Sequence, residues 1–254
     1  MVQVNAVALE VQRLSGTPGR ELAPIVFLHE GLGSVAMWRD WPQQVCDASG
    51  RAGVVYSRRG YGQSQPVLDV RNTGRLKPDY MHREAFEVLP ALLEALGVER
   101  PVLLGHSDGG SIALLHASRH PVTACVVMAP HVVVEDISVR SIEAAREAYP
   151  TALRERLKRY HADVDGAFWQ WNDIWLDPAF RNFDIRDDCR RIVAPVLAIQ
   201  GQEDPYGTMR QIEEIAPTQA SCTMKKLAAC GHSPHKDQPE LTCKLVAEFL
   251  LQLP

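Results

Sequence analysis

A serine between two glycines, Gly105-His106-Ser107-Asp108-Gly109, closes an apolar run that begins at Val102. The run has the length of a buried strand, and residues 111–117, with Ile112, Leu115 and His116 at helical spacing, read as a helix. Ser107 therefore falls on the turn between the two. Such a turn strains the serine backbone, and the small residues at 105 and 109 let strand and helix approach closely, so the hydroxyl is pushed out where a substrate can reach it. A hydroxyl is a weak nucleophile at neutral pH, and it needs a base within hydrogen-bond reach and a third group to orient that base. Histidine, with an ordinary pKa of about 6.5, suits the role. The bland alternative, a glycine-rich loop whose serine caps the helix, needs no such partners.

The Gly-x-Ser-x-Gly turn in this setting resembles the nucleophile elbow of the α/β-hydrolase family. The resemblance implies a doubly wound, mostly parallel sheet, an inserted helical cap, and partners in the chain order Ser, Asp or Glu, His. Asp204, in the turn Gly201-Gln202-Glu203-Asp204 after an apolar run, is similar to the family's acid; its neighbour Glu203 falls on the wrong residue of the pattern. His232, in Cys230-Gly231-His232 ahead of Pro239-Glu240 and a last helix, matches the family's base, with His235 as the competitor. The loop His29-Glu30-Gly31-Leu32-Gly33-Ser34 looks like the family's His-Gly-x-x-Gly-Ser loop, with Glu30 where glycine usually stands. In that register the backbone N–H groups of Gly31 and Asp108 would stabilise the oxyanion. The carboxylates of Glu30 and Asp108 are unfavourable beside an oxyanion, so both are expected to turn aside, toward nearby N–H groups or toward Arg58 or Arg59. The segment Arg58-Arg59-Gly60-Tyr61-Gly62-Gln63-Ser64 is similar to a further, structural loop of the family, and the likeness runs from about residue 22 to the end of the chain.

The elements that must position these residues follow from the apolar pattern. Continuous apolar runs at Ile25–Leu28, Gly53–Tyr56, 101–104, Ala124–Met128 and 196–199 are the mark of strands covered on both faces, hence of a parallel sheet. Helical patterns lie between them, clearest at 84–96, 111–119 and 239–253, which makes the class α/β. Residues 2–14 alternate enough for an antiparallel edge hairpin or meander. Residues 131–190 hold helical segments at 141–149, 151–160 and 166–175 without a convincing strand. They are expected to form the cap, with 1–130 and 191–254 as the hydrolase core. The cap segment 168–175 carries three tryptophans, and Trp169 and Trp175 are its candidates to line an apolar acyl or aryl pocket. His131, just after a strand, is another candidate lining residue, as is Glu30. Arg140 or Arg146, if turned inward, would point to an acidic substrate.

A chain of 254 residues accommodates one such core with its insertion. Charged residues at 23% and a net charge of −4 leave no basic footprint for nucleic acid. The first residues lack the pattern of a signal peptide and no run suffices for a membrane span, so a cytoplasmic protein without membrane attachment is expected. Six cysteines without Cys-x-x-Cys spacing indicate neither a zinc site nor a disulfide framework. The expected partner is a small-molecule substrate, with self-association left open and no metal or cofactor required.

The expected chemistry is hydrolysis of a carboxylic ester through an acyl-enzyme. A serine at position 107 excludes the haloalkane dehalogenases and epoxide hydrolases of the superfamily, which carry an aspartate there. Carbon–carbon, lactone and thioester hydrolysis and perhydrolysis use the same triad and stay open, as does a ligand-binding receptor on the same fold.

Overall fold

The computed structural model describes residues 1–19 and 21–253; Arg20 and Pro254, which belong to the expected core segments, lie outside the described residues. Nine strands are present among the described residues: β1 (Val2–Val4), β2 (Val7–Leu9), β3 (Val11–Leu14), β4 (Ile25–Leu28), β5 (Gly53–Tyr56), β6 (Val102–His106), β7 (Ala124–Met128), β8 (Val196–Gly201) and β9 (Cys222–Leu227). The first two form an antiparallel hairpin, and the other seven a sheet in the order β3-β5-β4-β6-β7-β8-β9. Only β3 runs against its neighbour; all other pairs are parallel. The opening segment thus splits between a hairpin and an edge strand.

Every residue of β4 through β8 is buried. Alternate side chains enter two cores: Val26, Leu28, Leu103 and Val127 on one face, Ile25, Phe27, Leu104 and Val126 on the other. Helices Trp41–Ser49 and Pro239–Leu250 cover the second face, through Val45, Cys46, Val246 and Leu250. Helices Leu89–Leu96 and Asp108–Ala117 cover the first. β9 is not among the strands expected from the apolar runs. It is an edge strand in which four of six residues are exposed, so it lacks the pattern that marks the interior ones.

Residues 131–190 contain helices Asp136–Ala148, Arg154–Leu157, Val164–Trp175 and Arg186–Cys189 and a single β-bridge, Val133 to Asp184. The helix expected at 151–160 is shorter, because the chain kinks at Thr151. His161 ties this segment to the sheet side. Its Nδ1 accepts from the Gly62 N–H at 3.0 Å and its Nε2 donates to the Leu32 carbonyl at 3.0 Å.

Because β4, β6, β7, β8 and β9 are parallel, the loops that follow them all emerge at one edge of the sheet. Those loops carry Glu30 and Gly31, Ser107, His131, Asp204 and His232, in that spatial order. Among the described residues, no helix is long and apolar enough to cross a membrane.

Candidate active site

Ser107 sits at φ +52° and ψ −120°, a conformation that costs a residue with a Cβ about 1–3 kcal/mol. Its surroundings hold it there. The Ser107 N–H donates to the Met128 carbonyl at 2.9 Å, and its carbonyl accepts from the N–H groups of Gly110 and Ser111 at 2.8 and 3.0 Å. A Cβ at Gly105 would overlap the Gly109 carbonyl, and one at Gly109 would overlap that of Leu28, so both flanking positions require glycine. The turn expected from the sequence is thus sterically closed on both sides.

The Ser107 Oγ lies 3.0 Å from Nε2 of His232, and Nδ1 of His232 lies 2.9 Å from each oxygen of Asp204. With the proton on Nδ1 donated to Asp204, Nε2 is free to accept the serine proton. Asp204 also accepts from Gln200 Nε2 and from the Tyr206 N–H, both at 2.7 Å. Burial by itself would raise the Asp204 carboxyl; the hydrogen bond and charge of His232, with the Tyr206 N–H, outweigh it and hold the group below the ordinary carboxylate range. Of the competitors, Glu203 is exposed, and His235 is buried with its ring 4.8 Å from those of Trp38 and His106. Neither joins the Ser107 chain of hydrogen bonds.

The Glu30–Gly31 peptide is fixed from one side. Its carbonyl accepts from His29 Nδ1 at 2.6 Å, from Arg58 Nη2 at 3.0 Å and from the Gly33 N–H at 3.0 Å. In a trans peptide the N–H points opposite to the carbonyl, so these donors aim the Gly31 N–H the other way. Among the described residues no acceptor faces that N–H or the N–H of Asp108.

The two carboxylates beside these donors turn aside, by partly different routes from those expected. Asp108 accepts from the Tyr80 hydroxyl at 2.7 Å and from the Trp175 indole N–H at 3.3 Å, and Arg58 stands at 3.9 Å. Burial still wins there, and the Asp108 carboxyl is raised above its ordinary value despite Arg58 and the two hydrogen bonds. Glu30 pairs with Lys236 at 3.0 Å and lies 3.5 Å from Nδ1 of His106, rather than meeting the guanidinium of Arg58 or Arg59. Against the upward push of burial, Lys236 and His106 hold it well below the usual range. The other nitrogen of His106 donates to the His232 carbonyl at 2.7 Å.

Of the lining candidates, His131 and Trp175 stand together at the site. The His131 ring is 4.8 Å from Trp175 and 5.9 Å from His232, and burial, followed by the nearby His232, lowers its pKa to about 3. Trp169 faces elsewhere, under the Arg71 guanidinium at 4.1 Å and against Tyr149 at 5.6 Å. Its place is taken by Trp171, whose indole packs directly on Gly31. The helical period explains the exchange: Trp171 and Trp175, four residues apart, share a face that Trp169 does not. That spacing is legible in the sequence. Tyr80 carries no comparable signal, being joined to Asp108 only by the fold. Arg146 is bonded to Asn172 at 3.1 Å and Arg140 is exposed. A cavity of about 650 Å³ between the β1–β2 hairpin and residues 73–77 lacks Ser107 in its lining and meets this site only through Tyr80 and Arg58.

A sequence profile described as the alpha/beta hydrolase family matches residues 25–245. The chain belongs to that family. Among curated proteins it is similar to the serine hydrolase BPHL of Homo sapiens, 27% identical over 160 residues. That match takes in 60% of this chain and 53% of the human protein, so the chain spans about half the length of that relative. It is also similar to the bifunctional esterase/perhydrolase DCH of Acinetobacter calcoaceticus, 24% identical over 72% of this chain and 75% of that one. The crystal structure of the enol-lactonase from Burkholderia xenovorans superposes with a TM-score of 0.75 at 18% identity, covering 97% of this chain and 98% of that one. At that identity the likeness concerns the alpha/beta-hydrolase fold alone.

Proposed function

We propose that this alpha/beta hydrolase cleaves a carboxylic ester of a small apolar or aromatic substrate through an acyl-enzyme, with Ser107 as nucleophile, His232 as base and Asp204 as the group that orients it. The observation that carries the reading is the unbroken chain from Ser107 Oγ to His232 to Asp204, at 3.0 and 2.9 Å, built on a residue held at φ +52°. His232 Nε2 takes the hydroxyl proton as Oγ attacks the carbonyl carbon, and Gly31 and Asp108 N–H bind the oxyanion. The proton passes to the departing alcohol as the ester C–O bond breaks. Water, deprotonated by the same nitrogen, then attacks the acyl carbonyl and releases the acid and Ser107.

In this reading residues 131–190 are a cap over the site, and Trp171, Trp175 and His131 supply its apolar walls. The esterase name carried by one relative is consistent with ester chemistry. Turnover of 4-nitrophenyl acetate and butyrate tests the proposal. Ser107→Ala should abolish steady-state hydrolysis and labelling by a fluorophosphonate. Turnover retained by the alanine variant, or a single acylation without turnover in the wild type, would overturn it, the latter in favour of a receptor.

A further inference from the structure

A second cavity, of about 330 Å³, is lined by four cations, Arg39, Arg156, Arg159 and Lys236, together with Met37, Leu157 and Tyr160. They come from three parts of the chain. Arg39 follows the turn Val35–Trp38 after β4, Arg156 and Arg159 belong to helix Arg154–Leu157 and the residues just beyond it, and Lys236 lies in helix Pro234–Asp237. Some exposed arginines elsewhere meet carboxylates, as Arg71 does Asp173 at 2.9 Å, Arg154 Asp165 at 2.7 Å and Arg186 Glu214 at 2.9 Å, and others, such as Arg13, Arg100 and Arg140, have no carboxylate partner among the described residues; the cations here differ in lining one cavity together. Among the described residues, Arg39, Arg156 and Arg159 have no carboxylate partner, and Lys236 alone is paired, with Glu30. Converging like charges repel one another, and in a chain whose net charge is −4 the concentration of unpaired cations at one cavity calls for an anion. Arg39 also stands at φ +55°, a strained backbone that the surroundings must maintain.

The cavity is joined to the chemistry by short links. Lys236 is four residues past His232 and bonds Glu30, the neighbour of Gly31; Glu30 faces His106, which holds the His232 carbonyl. The leaving group takes its proton from His232, so it departs on the His232 side of Ser107. We propose that the apolar or aromatic part of the substrate is its acyl half and that its leaving group carries a phosphoryl or phosphonyl group, for which Arg39, Arg156, Arg159 and Lys236 form the receptor. Guanidinium groups match the spacing of phosphoryl oxygens and bind them with charge-assisted hydrogen bonds. The proposal rests on the reading of Ser107 as nucleophile and assigns the substrate class of that same site.

Two measurements test the parts separately. Inorganic pyrophosphate is titrated calorimetrically at low ionic strength into Ser107→Ala protein, with and without Arg156→Ala and Arg159→Ala, folding being checked by circular dichroism. Binding should weaken about tenfold on losing the two guanidiniums, and strongly in about 0.5 M salt, where the Debye length is only a few Å. In the Ser107 enzyme, kcat/KM is compared for 4-(phosphonomethyl)phenyl butyrate and 4-methylphenyl butyrate. The wild type should favour the phosphonate, and the double variant should lose at least fivefold more on it than on the neutral ester. No pyrophosphate binding, or binding unaffected by the variants, would overturn the receptor. Binding without preference for the phosphonate ester would make the site one for free phosphate and overturn the substrate assignment. If neither ester turns over while pyrophosphate still binds through these arginines, it is the hydrolase reading that has failed.

Discussion

Asp204 and Asp108 are both buried carboxylates beside the Ser107–His232 pair, yet their hydrogen-bond partners differ in kind. Asp204 faces a ring that can take up a proton, and the same contact that orients His232 holds the carboxyl below its ordinary range. Asp108 faces Tyr80 and Trp175, whose O–H and N–H keep their protons at neutral pH, and burial leaves its carboxyl raised. In the proposed mechanism the first arrangement would follow a proton through the reaction, whereas the second ties a carboxylate to Tyr80 and Trp175. Two acids of similar burial thus acquire different roles from their donors alone.

The contrast can be broken most severely by amide substitution. Asp204→Asn should lower kcat by about 10³–10⁴, because the amide no longer favours the productive His232 tautomer. Asp108→Asn should cost less than tenfold, since its backbone N–H remains. Equal losses in ester turnover would abolish the distinction. On stability the order changes. Tyr80→Phe removes a charge-assisted bond to a buried carboxylate and should cost about 2 kcal/mol in urea unfolding. Adding Asp108→Asn to that variant should cost less than the two single changes summed.

His131 gives a subtler test of what a neutral neighbour does. Its folded pKa, about 3, lies below that of an ordinary histidine, so as pH falls below about 6.5 the unfolded chain binds a proton that the folded one refuses. Its contribution to stability is therefore intact above about 6.5 and lost on acidification toward 3, by up to about 1.4 kcal/mol per pH unit. His131→Asn should reduce the pH dependence of unfolding between pH 6.5 and 4.5 by about one proton. An unchanged slope would place the ring outside this linkage. Smallest of all, Glu30→Gln should cost under about 1 kcal/mol in stability, because its partner Lys236 is 38% exposed, and should lower kcat no more than about threefold.

The interior strands are legible in the sequence because both of their faces are buried, and Ser107, Asp204 and His232 stand in loops whose local pattern needs no tertiary knowledge. β9 escapes such a reading for the converse reason: an edge strand with Lys225 and Lys226 in it carries no apolar run. Glu30 and Asp108 stand out in the sequence as misplaced charges, but their partners Lys236 and Tyr80 lie 206 and 28 residues away, and only the fold joins them. Preferring Trp169 to Trp171 is an error of helical phase, which the spacing from Trp175 is enough to correct.

The residue between Gly105 and Ser107 has a mechanical consequence. His106 is the last residue of β6, next to Ser107, and its ring donates to the carbonyl of His232, a residue 126 positions further along the chain. A displacement of the end of β6 would have to break this bond or carry the His232 loop with it. The loops of Ser107 and His232 are thereby tied by a second link besides the contact between their own side chains.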